Sequence, residues 1–175
     1  MITQFLFIQL LLSNSSSLLT DFSDKDLSNW YIVNDVVMGG RSDAIFYRSE
    51  DSMAVFKGSV SLENNGGFSM VKCNFENQDI SAFSKIVFKV KGDNKRYQLR
   101  LQSDINQMHS YIQYFQTTND WQIIELNLKD FYPSFRGRKL NLGNFKENDL
   151  EGIAFLIANK KAEDFELMIK WIILK

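Results

Sequence analysis

Lys85-Ile86-Val87-Phe88-Lys89-Val90-Lys91-Gly92-Asp93-Asn94-Lys95-Arg96-Tyr97-Gln98-Leu99-Arg100-Leu101-Gln102 decides the fold of this 175-residue chain. Ile86, Phe88 and Val90 alternate with Lys85, Val87, Lys89 and Lys91, and after four turn formers Tyr97, Leu99 and Leu101 alternate with Arg96, Gln98, Arg100 and Gln102. A period of two sends successive side chains to opposite faces, so each half is a strand with one apolar side. If Tyr97, Leu99 and Leu101 face a core, then Arg96, Gln98, Arg100 and Gln102 stand in a row on the other face. Gln113, with Tyr111 and Phe115 at the same parity, is expected to line a neighbouring strand. Such a row is either a solvated sheet face or a surface that grips sugar hydroxyls, carboxylates or another protein. Lys85, Lys89 and Lys91 read as solvated or edge-guarding residues.

The same grammar extends in both directions. Strands are expected at Trp30 to Val33, Ala44 to Arg48, Met53 to Leu62 and Phe68 to Phe75, with turns at Gly39-Gly40 and Asn64-Asn65-Gly66-Gly67. Beyond the central pair, strands are expected at Ser110 to Gln116, Trp121 to Leu128, Ile153 to Ala158 and Phe165 to Leu174. Residues Ser23 to Asn29 read as a loop or one helical turn, and Asp79 to Ser84 as a short helical turn. No segment sustains a helical period. About ten strands in one domain are expected to split into an all-β, two-layer antiparallel sandwich, because so wide a sheet must bury one face of each half. Fifteen Phe, six Tyr and three Trp supply the rings that pack on pleated surfaces.

Composition excludes several classes. Twenty basic against 21 acidic residues leave a net charge of -1, so no global field favours nucleic acid. The lone cysteine, Cys73, allows no internal disulfide and no multi-cysteine zinc site; in its alternating strand it reads as a buried, inert thiol. His109 is the only histidine, and nothing in the sequence sets Ser42, Ser69 or Ser110 beside it as a nucleophile. Asp35, Glu63, Asp93 and Glu125 are carboxylates for a glycosidase pair by exclusion only. Met38-Gly39-Gly40-Arg41-Ser42 lacks the lysine and spacing of a phosphate loop. No cofactor, metal or catalytic residue is expected.

Two stretches remain unusual. Val33-Asn34-Asp35-Val36-Val37-Met38-Gly39-Gly40-Arg41-Ser42 sets paired glycines between an apolar run and an arginine, which suits a hairpin or a close approach of the backbone. Phe131-Tyr132-Pro133-Ser134-Phe135-Arg136-Gly137-Arg138 reads as a loop carrying three aromatics and two arginines, either a packed crossover or a binding segment. The run Asn34 to Ser42 resembles the signature of the complex I intermediate-associated protein family, the NADH:ubiquinone oxidoreductase intermediate-associated domain. The resemblance continues in order through Phe56-Lys57-Gly58, Leu62 to Phe68, Lys91 to Tyr97, Phe115 to Trp121 and Phe131 to Arg138, covering roughly residues 20 to 174.

That resemblance implies a galactose-binding-like jelly roll and a non-enzymatic, chaperone-like assembly factor for a respiratory membrane complex. It implies a protein partner such as a complex subunit or assembly intermediate, with peripheral membrane association. The competing function is a carbohydrate-binding module; a hydrolase comes third. Residues of the family-like motifs, Asn34, Asp35, Arg41, Asn64, Asn65, Arg96, Arg136 and Arg138, are expected to converge at one face or end of the sandwich and bind. Residues 1–17 join an apolar run to small polar residues, the outline of a signal peptide, an extension or an interfacial anchor. The sandwich is expected over 18–175. No Arg-rich transit pattern opens the chain, so a cytoplasmic address is expected, with export the alternative if the first segment is a signal.

Overall fold

The computed structural model describes residues 16–24, 26–35 and 39–175. Most of the N-terminal apolar segment, and positions 36–38 of the paired-glycine motif, lie outside the described residues. The described chain is all-β, with thirteen strands in two antiparallel sheets. They are β1 (Ser17–Thr20), β2 (Trp30–Asn34), β3 (Asp43–Arg48), β4 (Ala54–Val60), β5 (Ser69–Asp79), β6 (Lys85–Lys91) and β7 (Arg96–Gln102). Then come β8 (Ser110–Gln116), β9 (Gln122–Asn127), β10 (Tyr132–Phe135), β11 (Arg138–Lys139), β12 (Asp149–Ile157) and β13 (Glu163–Leu174).

One sheet has the order β3-β4-β13-β6-β9, with β1 also pairing β13; the other runs β11-β10-β8-β7-β12-β5-β2. Strands that follow one another in sequence, β6 and β7, fall in different sheets, so the turn at Gly92 to Lys95 carries the chain across the sandwich. Each therefore turns its apolar parity inward. Phe88 from β6 meets Phe115 of β8 edge-on at 5.0 Å and Phe155 of β12 at 5.7 Å, both across the sandwich. Phe56, Phe88, Tyr97, Leu99, Leu101, Phe155, Leu167 and Ile169 are fully out of water. Burying such a side chain stabilises by roughly 2 to 3 kcal/mol, so this aromatic layer is the chief source of cohesion.

Two expectations change. The stretch Phe131 to Arg138 is not a loop: β10 and β11 make a hairpin whose first strand pairs with β8. Its Pro133 and Gly137 signalled a turn, but Tyr132 and Ser134 alternate with Pro133 and Phe135, and β8 offers a free edge. Pro133 stands at the second position of β10, where it lacks an N–H to donate but its carbonyl still accepts from the Leu140 N–H at 3.0 Å, just beyond β11. The segment after β5 is a single turn, closed by the Phe83 N–H donating to the Ile80 carbonyl at 2.9 Å, because β5 runs on to Asp79.

Candidate functional site

The outer face of the seven-stranded sheet is concave and holds a cleft of about 580 Å³. The β7 row expected from the sequence forms its floor: Tyr97, Leu99 and Leu101 are wholly buried on the core side, while Gln98, Arg100 and Gln102 line the cleft. Register places Arg100 opposite Ile112 of β8 and Ala154 of β12; Ala154 in turn faces Lys72 of β5, which faces Tyr31 of β2. On the far side Ile112 faces Tyr132. One straight row across six strands thus reads tyrosine, isoleucine, arginine, alanine, lysine, tyrosine. Tyr111, Gln113 and Phe115 were placed on the wrong side by parity. They pair with Leu101, Leu99 and Tyr97, so they share the core side, and Tyr114 and Ile112 take the outer face instead. Parity within a strand is readable; phase relative to a neighbour depends on pairing.

The polar groups of this sheet face are unevenly satisfied. Gln98 donates to the Tyr114 hydroxyl at 2.9 Å, and Asn74 donates to the Tyr31 hydroxyl at 3.1 Å. The Asn74 Oδ1 and the Arg100 Nε are buried and find no partner among the described residues. Among the described residues the guanidinium makes one side-chain hydrogen bond, a weak one from Nη1 to the Met70 sulfur at 3.9 Å. Burial pulls the Arg100 guanidinium below its ordinary value, against the opposing pull of the Tyr114 and Tyr132 hydroxyls. Lys72, Arg100 and Arg136 line the cleft, and among the described residues no carboxylate does.

The paired-glycine motif does a different job. Asp35 is buried, and its carboxylate accepts from the Ser42 N–H at 3.1 Å, the Ser42 hydroxyl at 2.6 Å, the Gly67 N–H at 2.6 Å and the Phe68 N–H at 3.3 Å. Desolvation pushes its carboxyl up, but the bonds from Ser42, Gly67 and Phe68 together outweigh that and hold it below the usual carboxylate range. Ser42 also accepts from the Ser61 N–H at 3.0 Å, so one carboxylate ties the first turn to the second. A methyl on Gly40 would land on the Asp35 carboxylate, and one on Gly66 would lie 2.6 Å from its Oδ2. Glycine is needed at both places for close approach.

The other motif residues fall around this clasp or around the cleft. Asn34 accepts from the Ser69 hydroxyl at 2.6 Å; Arg41 pairs with Glu63 at 2.9 Å on the surface. Asn64 takes a left-handed conformation, φ 53°, in the 3₁₀ turn it shares with Asn65. Arg96 opens β7 and covers the Tyr114 ring at 4.4 Å. Arg136, at φ 48° in the β10–β11 turn, covers Phe135 at 5.3 Å and lines the cleft, as do Gly66 and Gly67. Arg138 is exposed on β11 opposite Phe135. Asn34, Asp35, Arg41 and the Asn64–Asn65 turn thus gather at the clasp, Arg136 shares the cleft with that turn's glycines, and Arg96 and Arg138 sit farther along the β7 to β11 side. Arg100, Lys72 and Met70 were outside the motif-based set. The β7 alternation exposed Arg100 as a candidate; Lys72 and Met70 share a face with it only through strand pairing.

The reactive groups are engaged elsewhere. Burial pushes the Cys73 thiol up to about 12, which leaves it protonated and unreactive. His109 packs edge-on against Tyr111 at 5.1 Å, and among the described residues no hydrogen bond joins it to a serine or carboxylate. The four candidate carboxylates are spread over the molecule. Asp35 is in the clasp, Glu63 is on Arg41, Asp93 holds Lys95 at 2.8 Å and Tyr97 at 3.0 Å, and Glu125 holds Lys85 at 2.9 Å.

Comparison with known proteins agrees with this architecture. The family model described as Complex I intermediate-associated protein 30 (CIA30) matches residues 20–169. The chain belongs to this family. Among its relatives, the mouse protein named Complex I intermediate-associated protein 30, mitochondrial, is 24% identical over 189 residues, an alignment covering 94% of this chain and 58% of the mouse protein. The Drosophila melanogaster protein of the same name is 25% identical over 168 residues, covering 82% of this chain and 57% of that protein. The chain therefore spans little more than half the length of these CIA30 relatives. In fold, this CIA30 chain is similar to the family 11 carbohydrate-binding module of Clostridium thermocellum. The module in complex with a β-1,3-1,4-mixed-linked tetrasaccharide superposes with a TM-score of 0.68 at 15% identity, covering 91% of this chain and 94% of the module. The module of the cellulase Lic26A-Cel5E gives 0.69 at 16%, with the same coverage. That places the CIA30 domain among jelly rolls of the galactose-binding-like type.

Proposed function

We propose that this chain is a non-enzymatic binding protein that holds a subunit or intermediate of a respiratory membrane complex during its assembly, using the cleft of the seven-stranded sheet as the contact surface. The observation that carries this reading is the cleft itself, a preformed concave face with an unmet hydrogen-bond donor at Arg100, apolar walls and, among the described residues, no carboxylate. Such a face can recognise a partner by shape and hydrogen bonding. The dispersal of Asp35, Glu63, Asp93 and Glu125 into separate pairings supports the same reading, as does membership of a family whose name records association with complex I intermediates. Binding is transient and involves no covalent step.

Affinity capture from native lysate tests it. Tagged wild type is expected to bring down complex I subunits, and an Arg136→Ala, Arg138→Ala double variant to bring down markedly fewer. Recovery of the wild-type protein alone, with respiratory subunits absent, would sink the role. A carbohydrate ligand is the second reading, favoured by Tyr31, Tyr114 and Tyr132 along the cleft face. Titration with mixed-linked glucan oligosaccharides measures it directly.

A further inference from the structure

Arg100 is an unusual residue to find at the middle of a sheet face. Among the described residues its Nε is buried without a partner and its Nη1 reaches only a thioether, and its neighbours across the strands are Ile112 and Ala154. A guanidinium carries five donors in a fixed fork and keeps its charge in proteins. Left unmet in a half-dry site, it weakens the fold, so its presence there calls for an anion from outside. The fork matches a carboxylate in two-point geometry. Lys72 and Arg136 add positive charge to the same cleft, where none of the described lining side chains is acidic.

The surroundings select among anions. A sugar ring packs its C–H face on a bare aromatic face, yet here a cation covers one face of three of the rings beside the cleft, leaving Tyr31 and Phe68 without one among the described residues. Arg96 lies over Tyr114 at 4.4 Å, Lys139 over Tyr132 at 5.1 Å and Arg136 over Phe135 at 5.3 Å. The open apolar surface is instead supplied by Met70, Met108 and Leu156. Flexible thioethers and aliphatic groups adapt to peptide side chains.

We propose that the cleft binds an extended peptide segment of a partner protein by seating an Asp or Glu carboxylate on Arg100, with the segment's apolar side chains against Met70, Met108 and Leu156. This rests on the assembly reading and names the chemistry of the partner surface. Lys72 and Arg136 steer the segment by charge, and Arg100 fixes its register.

A display library of randomised nonapeptides, selected on wild type and counter-selected on Arg100→Gln, tests it. Enriched peptides are expected to carry an acidic residue at one fixed position beside apolar ones. Replacing that acid by its amide, or Arg100 by Gln, should weaken binding by at least about tenfold in calorimetry, as loss of a charged hydrogen-bonded pair does. Arg100→Lys should recover only part, because a point charge lacks the fork. Arg100→Met should lose binding while melting about 2 to 4 °C higher, since it removes an unpaired charge from an apolar setting. The proposal is overturned if no peptide is enriched, if the enriched set lacks acids, if Arg100→Gln binds unchanged, or if Arg100→Met melts lower. Stronger binding of a glucan or glucuronate oligosaccharide than of any selected peptide overturns it too. Capture of complex I subunits that persists in Arg100→Gln removes this proposal and leaves the assembly role standing. Acidic-peptide binding with no subunit capture by wild type removes the assembly role alone.

Discussion

Asp35 and Arg100 are both charged side chains drawn away from water, and the fold treats them in opposite ways. Asp35 receives four hydrogen bonds from three residues, two of them 2.6 Å long, and two glycines make room for it. Arg100 has no oxygen acceptor among the described residues and a buried donor left over. A polar group that is fully met is architecture. One that is left unmet at the floor of a cleft is held ready for something else, because the chain alone gains nothing from it. The paired-glycine motif is therefore a fastening, and the cleft beside it is the face that the proposed binding uses.

The sharpest way to break that contrast is to remove the fastening. Asp35→Ala strands the Ser42, Gly67 and Phe68 donors together, and should cost about 3 kcal/mol or more. That is roughly 6 to 12 °C in Tm for a domain of this size, read by thermal unfolding. The pH dependence has a fixed sign. The Asp35 carboxyl is lowered in the folded state, so its contribution is complete above the unfolded value of about 3.9 and is lost as pH falls through the folded one. Wild type should lose stability steeply below about pH 4, and Asp35→Asn should flatten that limb while lying lower at neutral pH. An unchanged slope in Asp35→Asn would assign the acid sensitivity to other carboxylates.

Gly40→Ala sharpens the point by testing space instead of charge. The added methyl falls on the Asp35 carboxylate, so a loss of about 2 kcal/mol is expected from overpacking. In an Asp35→Ala background the same substitution should cost much less, a double-mutant coupling of about 1 kcal/mol or more. Gly143→Ala, with nothing within 4 Å of its added carbon, is the control and should be nearly neutral.

How far these features were legible from the sequence differs by feature. The sandwich was readable because alternation at Ile86-Phe88-Val90 and Tyr97-Leu99-Leu101 is a local property, and the same local reading exposed the Gln98, Arg100 and Gln102 row. The partners of that row were not readable. Lys72 lies in β5, 28 positions earlier, and meets Arg100 only because β12 inserts between β5 and β7. The wrong phase for Tyr111, Gln113 and Phe115 has the same origin, since a strand's parity does not state which neighbour it pairs with. The β10–β11 hairpin was hidden because Pro133 and Gly137 are loop residues by local preference, overridden by the open edge of β8. The signature motif drew attention to Asp35 and its glycines but could not distinguish a clasp from a ligand site. That distinction depends on donors at Gly67 and Phe68, more than 30 residues away.

The smallest effect belongs to the pair that looks most like an interaction. Arg41 and Glu63 stand 2.9 Å apart beside the clasp, yet their side chains are 69% and 62% exposed. At that exposure water screens the attraction, and ordering two long side chains offsets most of what remains. Arg41→Ala should therefore shift stability by no more than about 0.5 kcal/mol, and raising salt should leave the wild-type Tm almost unchanged on this account. A loss near that of Asp35→Ala would mean that the turn is held from outside by charge and not from within by the buried carboxylate. Because Arg41 and Asp35 lie six residues apart on the same motif, the two substitutions compare exposed and buried charge on one short stretch of backbone. The ratio of their costs measures how much of the fastening is due to the exclusion of water.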